Sequence, residues 1–117
     1  MATKSQVKKK IQELIGRLDG ADQKWHDNLA RALPGNKTIQ IDVTDLELSY
    51  WTKLAGGHMG PLREGEADDK VDIRLRAKSD DLVAMVDGEL GFMSSFLSGR
   101  VRVDAPLSDL LALRKLA

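Results

Sequence analysis

Few residues in this chain have the type and spacing that chemistry needs. His26 lies in a helical stretch and His58 in a glycine-rich one. Neither has a second histidine or a carboxylate at a metal-ligand spacing, although residues distant in sequence could still converge. Both histidines are expected on the surface. Gly56-Gly57-His58-Met59-Gly60 lacks the lysine of a phosphate loop and the spacing of a dinucleotide turn, so it reads as a turn. Ser94 and Ser95 have no nucleophile-elbow context. Glu64, Glu66, Asp68 and Asp69 match a calcium loop only in charge, without its alternating oxygen ligands or closing glutamate. There is no cysteine, which removes disulfides, thiol nucleophiles and thiolate zinc sites together. No catalytic residue, metal or cofactor is expected.

The informative residues are apolar and lie near the C-terminus. Phe92, Met93, Phe96 and Leu97 crowd one short turn. Leu107, Leu110, Leu111, Leu113 and Leu116 then crowd a final helix with more leucine than one flank of a short helix needs. These side chains either pack a core or line a cavity. Ligand pockets are mostly apolar, and methionine beside phenylalanine makes an adaptable wall. Periodicity does not separate the two readings.

The rest of the chain supplies the elements that must position them. Val7, Ile11, Leu14, Ile15 and Leu18 recur at helical spacing, and Lys4, Lys8, Lys9, Lys10 and Arg17 lie mostly off that stripe. This basic helix is either a solvated face or a transient contact with an anionic membrane. A second helix is predicted from about Asp22 to Leu33. Ile39, Ile41 and Val43 alternate with polar residues, as do Leu46, Leu48 and Tyr50, which predicts two neighbouring strands. Trp51 and Leu54 break that alternation and suggest either a strand end covered on both faces or a bulge. Residues 56–65 form a loop or a short edge strand around Leu62.

Val71, Ile73, Leu75 and Ala77 form a clean strand. Ser79-Asp80-Asp81 can start a helix by capping its first amides, with Leu82, Val83, Met85 and Val86 on the buried face. Gly88 stops that helix. Val101, Val103 and Ala105 give a last strand before the leucine-rich helix. The order predicts an α+β fold, a mostly antiparallel sheet with helices packed on one face. No linker or repeat divides the 117 residues, so residues 1–117 are expected to form one domain.

Composition narrows the partners. Eighteen Lys and Arg balance eighteen Asp and Glu, so no global field recruits nucleic acid. Met1-Ala2-Thr3-Lys4 lacks a signal-peptide core, and no run is long enough to span a bilayer. A cytoplasmic location is expected.

From Val71 to Leu116 the sequence resembles the sterol carrier protein 2 (SCP2) domain family. The resemblance rests on Ser79-Asp80-Asp81-Leu82, Asp87-Gly88-Glu89-Leu90 and Phe96-Leu97-Ser98-Gly99-Arg100-Val101, in that order, followed by the leucine-rich helix. Before Val71 the agreement is in the order and length of elements. A chain with one small domain is similar to bacterial stand-alone members. The resemblance implies a mixed sheet of about five strands, with helices on one face enclosing an apolar cavity. It also implies binding and transfer of a sterol, fatty acid, acyl-CoA or isoprenoid-like molecule, without catalysis. Carried over by position, the ligand-binding residues are Leu82, Met85 and Val86; Phe92, Met93, Phe96 and Leu97; and Leu110, Leu111 and Leu113. One departure is Asp104-Ala105-Pro106, where the family commonly has a Gly-Asp pair; it changes how the last helix enters. The competing reading is an interaction or accessory module that docks a partner enzyme or dimerises. The oligomeric state is left open.

Overall fold

Thr3 starts the first helix. Its hydroxyl accepts from the Gln6 N–H at 3.2 Å, and the Gln6 side chain accepts from the Thr3 N–H at 2.9 Å, a reciprocal capping box. The computed structural model describes residues 2–68 and 70–116; Asp69 and the side chains of Phe92, Met93, Leu113 and residues 114–116 lie outside the described set. Helix α1 (Lys4–Asp19) buries Val7 and Ile11 from the stripe read in the sequence. Helix α2 (Gln23–Ala32) is capped by Asp22, whose carboxylate accepts from the Trp25 N–H at 2.9 Å. Its inner face carries His26 and Leu29.

Strands β1 (Asn36–Val43) and β2 (Leu48–Ala55) form an antiparallel hairpin. Their register runs unbroken from Asn36↔Ala55 to Val43↔Leu48, so there is no bulge at Trp51. Leu46 lies in the connecting turn rather than in a strand. Leu54 shares the buried face with Tyr50 and Thr52, so it does not break the alternation after all. Only Trp51 falls on the opposite face, where the Arg63 guanidinium lies 5.7 Å from its ring centroid.

The glycine-rich stretch contributes two short strands, β3 (His58–Met59) and β4 (Arg63–Glu64), both pairing with β2. Strand β5 (Ile73–Ala77) runs parallel to β1, and β6 (Val101–Asp104) runs antiparallel to β5. The order is β3-β2-β1-β5-β6, with β4 also on β2. The sheet is therefore mixed, as expected, with its one parallel pair at the centre.

Helices α3 (Ser79–Val86), α4 (Phe92–Leu97) and α5 (Leu107–Leu116) complete the chain. α1 packs against α3, and α2 against α5. One core patch joins Val7, Ile11, Ile41, Val43, Tyr50, Ala77, Leu82 and Val101. A second joins Leu29, Leu33, Ile39, Leu54 and Ile73. The other face of the sheet is polar. There Asp42 accepts from the Gln40 amide at 2.8 Å, the Ser49 hydroxyl at 2.8 Å and Arg74 at 3.0 Å. Burial works to raise the Asp42 carboxyl, but the Gln40 and Ser49 bonds and the Arg74 cation outweigh it and hold it below the ordinary range.

Candidate functional site

The site read from the sequence begins on α3, and that helix starts differently from expectation. Ser79 does not cap it; no side chain within the helix does. Instead Asp45, in the β1–β2 turn, accepts from the Ser79 N–H at 2.8 Å and from its hydroxyl at 2.6 Å. The Ser79 bonds are the largest cause of a lowered Asp45 pKa. This anchor fixes the helix so that Leu82 and Val86 are buried and Met85 is half-buried.

The next helix turns Phe96 and Leu97 outward. Among the described side chains of α4 the buried one is Ser95, whose hydroxyl donates to the Gly91 carbonyl at 2.7 Å. A helix rotates about 100° per residue, so an inward Ser95 leaves Leu97 on the far side. Phe96 is 36% exposed and Leu97 78% exposed. Both, expected on the tunnel side, stand at the surface of this structure. The side chains of Phe92 and Met93 lie outside the described residues.

On α5, Leu110 is half-buried, but Leu111 is 50% exposed and Leu107 70% exposed. Leu111 too is at the surface rather than enclosed, and Leu113 lies outside the described side chains. The buried residue of this face is Asp109, which meets the Lys37 ammonium at 3.3 Å as an ion pair without hydrogen-bond geometry. The described candidates thus divide. Leu82 and Val86 belong to the interior, Met85 and Leu110 are half-buried, and Phe96, Leu97 and Leu111 face out.

Two pockets stand out among the described residues, and charged side chains line both. One, of about 420 Å³, lies between the β5–α3 junction and the α4–β6 turn and is lined by Arg76, Lys78, Asp81, Arg100 and Arg102. The other, of about 460 Å³, is lined by Trp51, Lys53, Pro61, Arg63 and Asp68. Neither is an oily hollow beneath the C-terminal helices.

The basic first helix buries Val7 and Ile11 of its apolar stripe in the core, while Leu14, Ile15 and Leu18 are half-buried. Lys8 pairs with Glu64 at 2.9 Å, and Lys10 with Asp87. These contacts fit the solvated-face reading of the helix, with its inner residues packed and Lys8 and Lys10 paired at the surface. Among the described residues, no helix is long and apolar enough to cross a membrane.

The histidines supply what sequence spacing missed. His26 is buried, not on the surface, and its ring stacks on that of His58 with centroids 3.9 Å apart. Its Nδ1 lies 2.8 Å from the Gly57 carbonyl and its Nε2 3.1 Å from the Asp19 carbonyl. Two acceptors facing one imidazole favour the form with a proton on each nitrogen. The Gly57 carbonyl is the largest cause of a raised His26 pKa, against which burial works. His58 is exposed and meets the Asp19 carboxylate at 3.2 Å. Among the described residues, no group of three or more His, Cys, Asp or Glu could hold a metal. The pair reads as a structural clasp between α2 and the β2–β3 turn.

Comparison with known proteins identifies the architecture. The SCP-2 sterol transfer family matches residues 11–117. The sterol carrier protein 2 like 2 of Aedes aegypti shares the fold at TM-score 0.67 and 14% identity, covering 97% of each chain. UbiJ-SCP2, a ubiquinone synthesis protein, shares it at TM-score 0.66 and 17% identity over 97% of this chain and 94% of that one. The sec-alkylsulfatase Pisa1 from Pseudomonas sp. contains a similar portion, at TM-score 0.57 and 19% identity over 78% of this chain. This chain spans only 14% of that enzyme's length. No curated protein matches in sequence.

Proposed function

We propose that this chain, which belongs to the SCP-2 sterol transfer family, binds and carries an apolar, lipid-like molecule and does no chemistry of its own. The observation that carries this reading is the family match over residues 11–117, which takes in every apolar position singled out on α3, α4 and α5. The exposure of Phe96, Leu97, Leu107 and Leu111 supports it. Single exposed apolar residues are ordinary, but four large ones on two consecutive helices mark a surface that needs covering. A hydrocarbon chain lying against the outward side of α4 and α5 would cover them.

The driving force is transfer from water, about 0.8 kcal/mol for each methylene buried. A ligand held this way needs few polar contacts, so selectivity among sterols, fatty acids, acyl-CoA and isoprenoid-like molecules is modest. Fluorescence titration with acyl, sterol and isoprenoid probes tests the reading, together with native mass spectrometry of the chain purified from its own host. Saturable binding or a retained apolar mass supports it; failure to bind any probe overturns it.

A second reading has its own support. The same fold forms a small portion of the much longer sec-alkylsulfatase. An accessory module would use the exposed leucines to meet a larger partner or a second copy. Sedimentation across a concentration series separates this from a free carrier, because a docking surface of this kind should self-associate or bind a partner.

A further inference from the structure

Strands β5 and β6 place arginine directly opposite arginine. In their antiparallel register Arg76 faces Arg102, and like charges at such a pair repel. Lys78 follows β5 and Arg100 precedes β6, so four cations gather at this end of the ladder and line the pocket of about 420 Å³. Asp81 is the single carboxylate among its lining residues. Arg76 is compensated, lying 3.0 Å from Asp104 and 3.7 Å from Asp42. Arg100 and Arg102 are exposed and have no ion pair among the described residues, and Lys78 acts only at a distance, on Asp45. The pocket therefore holds more positive charge than its own carboxylates balance.

Ser98 and Gly99 also line this pocket, and the two residues before them are Phe96 and Leu97, the latter 78% exposed. An exposed apolar pair thus directly precedes, in the chain, the turn that lines this cationic basin. A soluble anion would satisfy the cations and leave Leu97 in water. A lipid surface satisfies both, with phosphates among the arginines and the apolar pair at the acyl boundary.

We propose that the α4–β6 turn is a membrane-docking face, with Lys78, Arg100 and Arg102 binding the phosphates of anionic phospholipids and Phe96 and Leu97 entering the interface. This goes beyond the carrier reading and fails separately from it, since vesicle binding needs no ligand inside the protein. It also places the contact away from α1.

The test is cosedimentation with vesicles of phosphatidylcholine alone and of phosphatidylcholine mixed with phosphatidylglycerol, at low and high salt. The wild type should bind the anionic vesicles, and high salt should release it. Arg100→Glu with Arg102→Glu, and separately Leu97→Asn, should each weaken that binding about tenfold or more. Lys9→Glu on the exposed side of α1 should not. Circular dichroism confirms that each variant is folded. The proposal is overturned if the wild type ignores anionic vesicles, or if the arginine and leucine variants bind normally while Lys9→Glu does not. It is also overturned if inorganic phosphate, at constant ionic strength, displaces the protein while Leu97→Asn binds like the wild type. The pocket would then serve a free anion.

Discussion

Asp45 and Ser79 are 34 positions apart in sequence, yet one carboxylate takes both the backbone N–H and the hydroxyl of the serine, at 2.8 and 2.6 Å. The β1–β2 turn is thereby tied to the start of α3. Ser79 is fully buried, so removing the acceptor strands two donors away from water. Asp45→Ala should lower stability by about 1–2 kcal/mol in urea unfolding. Because the Asp45 pKa is lowered on folding, its contribution is present above the ordinary carboxylate pKa and fades as pH falls through the folded value. The gap between wild type and Asp45→Asn should accordingly shrink in acid. A gap that does not change with pH would show the carboxylate charge to be irrelevant.

Gly57 allows a close approach that no other residue could. A Cβ built there would lie 2.1 Å from the His26 carbonyl oxygen, and its φ is +80°. Gly57→Ala should cost more than about 2 kcal/mol, from clash and backbone strain together. Gly56 also has a positive φ, +58°, but open space around it. Gly56→Ala therefore isolates the dihedral contribution and should cost about 1 kcal/mol. Equal losses from the two substitutions would mean that the contact with His26 is not tight.

The His26 clasp should make the fold pH-sensitive. A group whose pKa is raised on folding stabilises fully below its unfolded pKa, and that stabilisation is lost as pH rises through the folded value. For His26 the window opens at the ordinary histidine pKa of 6.5 and extends upward. Urea midpoints should therefore fall as pH increases from mildly acidic to mildly alkaline, and His26→Gln should flatten that slope. NMR titration of the imidazole gives an independent reading. A His26 signal that titrates below 6.5 would contradict the two-acceptor geometry.

Tyr50 is 1% exposed, and its hydroxyl has no hydrogen-bond partner among the described residues. Burial, with the Glu64 charge, raises its pKa. A buried hydroxyl without a partner costs free energy, so deleting it while keeping the ring should not destabilise the core. Tyr50→Phe should be neutral or stabilising by up to about 1 kcal/mol, as measured by thermal unfolding. A clear loss of stability would mean that the hydroxyl is satisfied in solution.

Much of this architecture was legible in the sequence because it rests on local periodicity. The Val7–Ile11 stripe, the alternation around Ile41 and the glycine stop at Gly88 each need only neighbouring residues to be read. The errors share a different origin. Ser79 looks like a cap from its neighbours, but its partner comes from another turn. His26 looks solvated until Gly57 and Asp19 close around it. On α4, composition gave no sign that Ser95 would turn inward and Leu97 outward, because a six-residue helix is too short to display a periodicity. The Arg76–Arg102 opposition depends on strand register, which no single strand encodes.

Leu82 and Leu97 offer the sharpest contrast among the apolar candidates, being 2% and 78% exposed. Leu82→Ala removes packed atoms between α1, α3 and the sheet and should cost about 2–5 kcal/mol. Leu97→Asn removes almost no folded-state contact and should change stability by less than about 0.5 kcal/mol. If Leu97 covers a bound lipid, the same substitution should weaken binding of an acyl probe several-fold while leaving the unfolding midpoint in place. If probe affinity is unchanged in Leu97→Asn but falls in Leu82→Ala in step with stability, the guest lies deeper, against α3, and Leu97 plays no part in holding it.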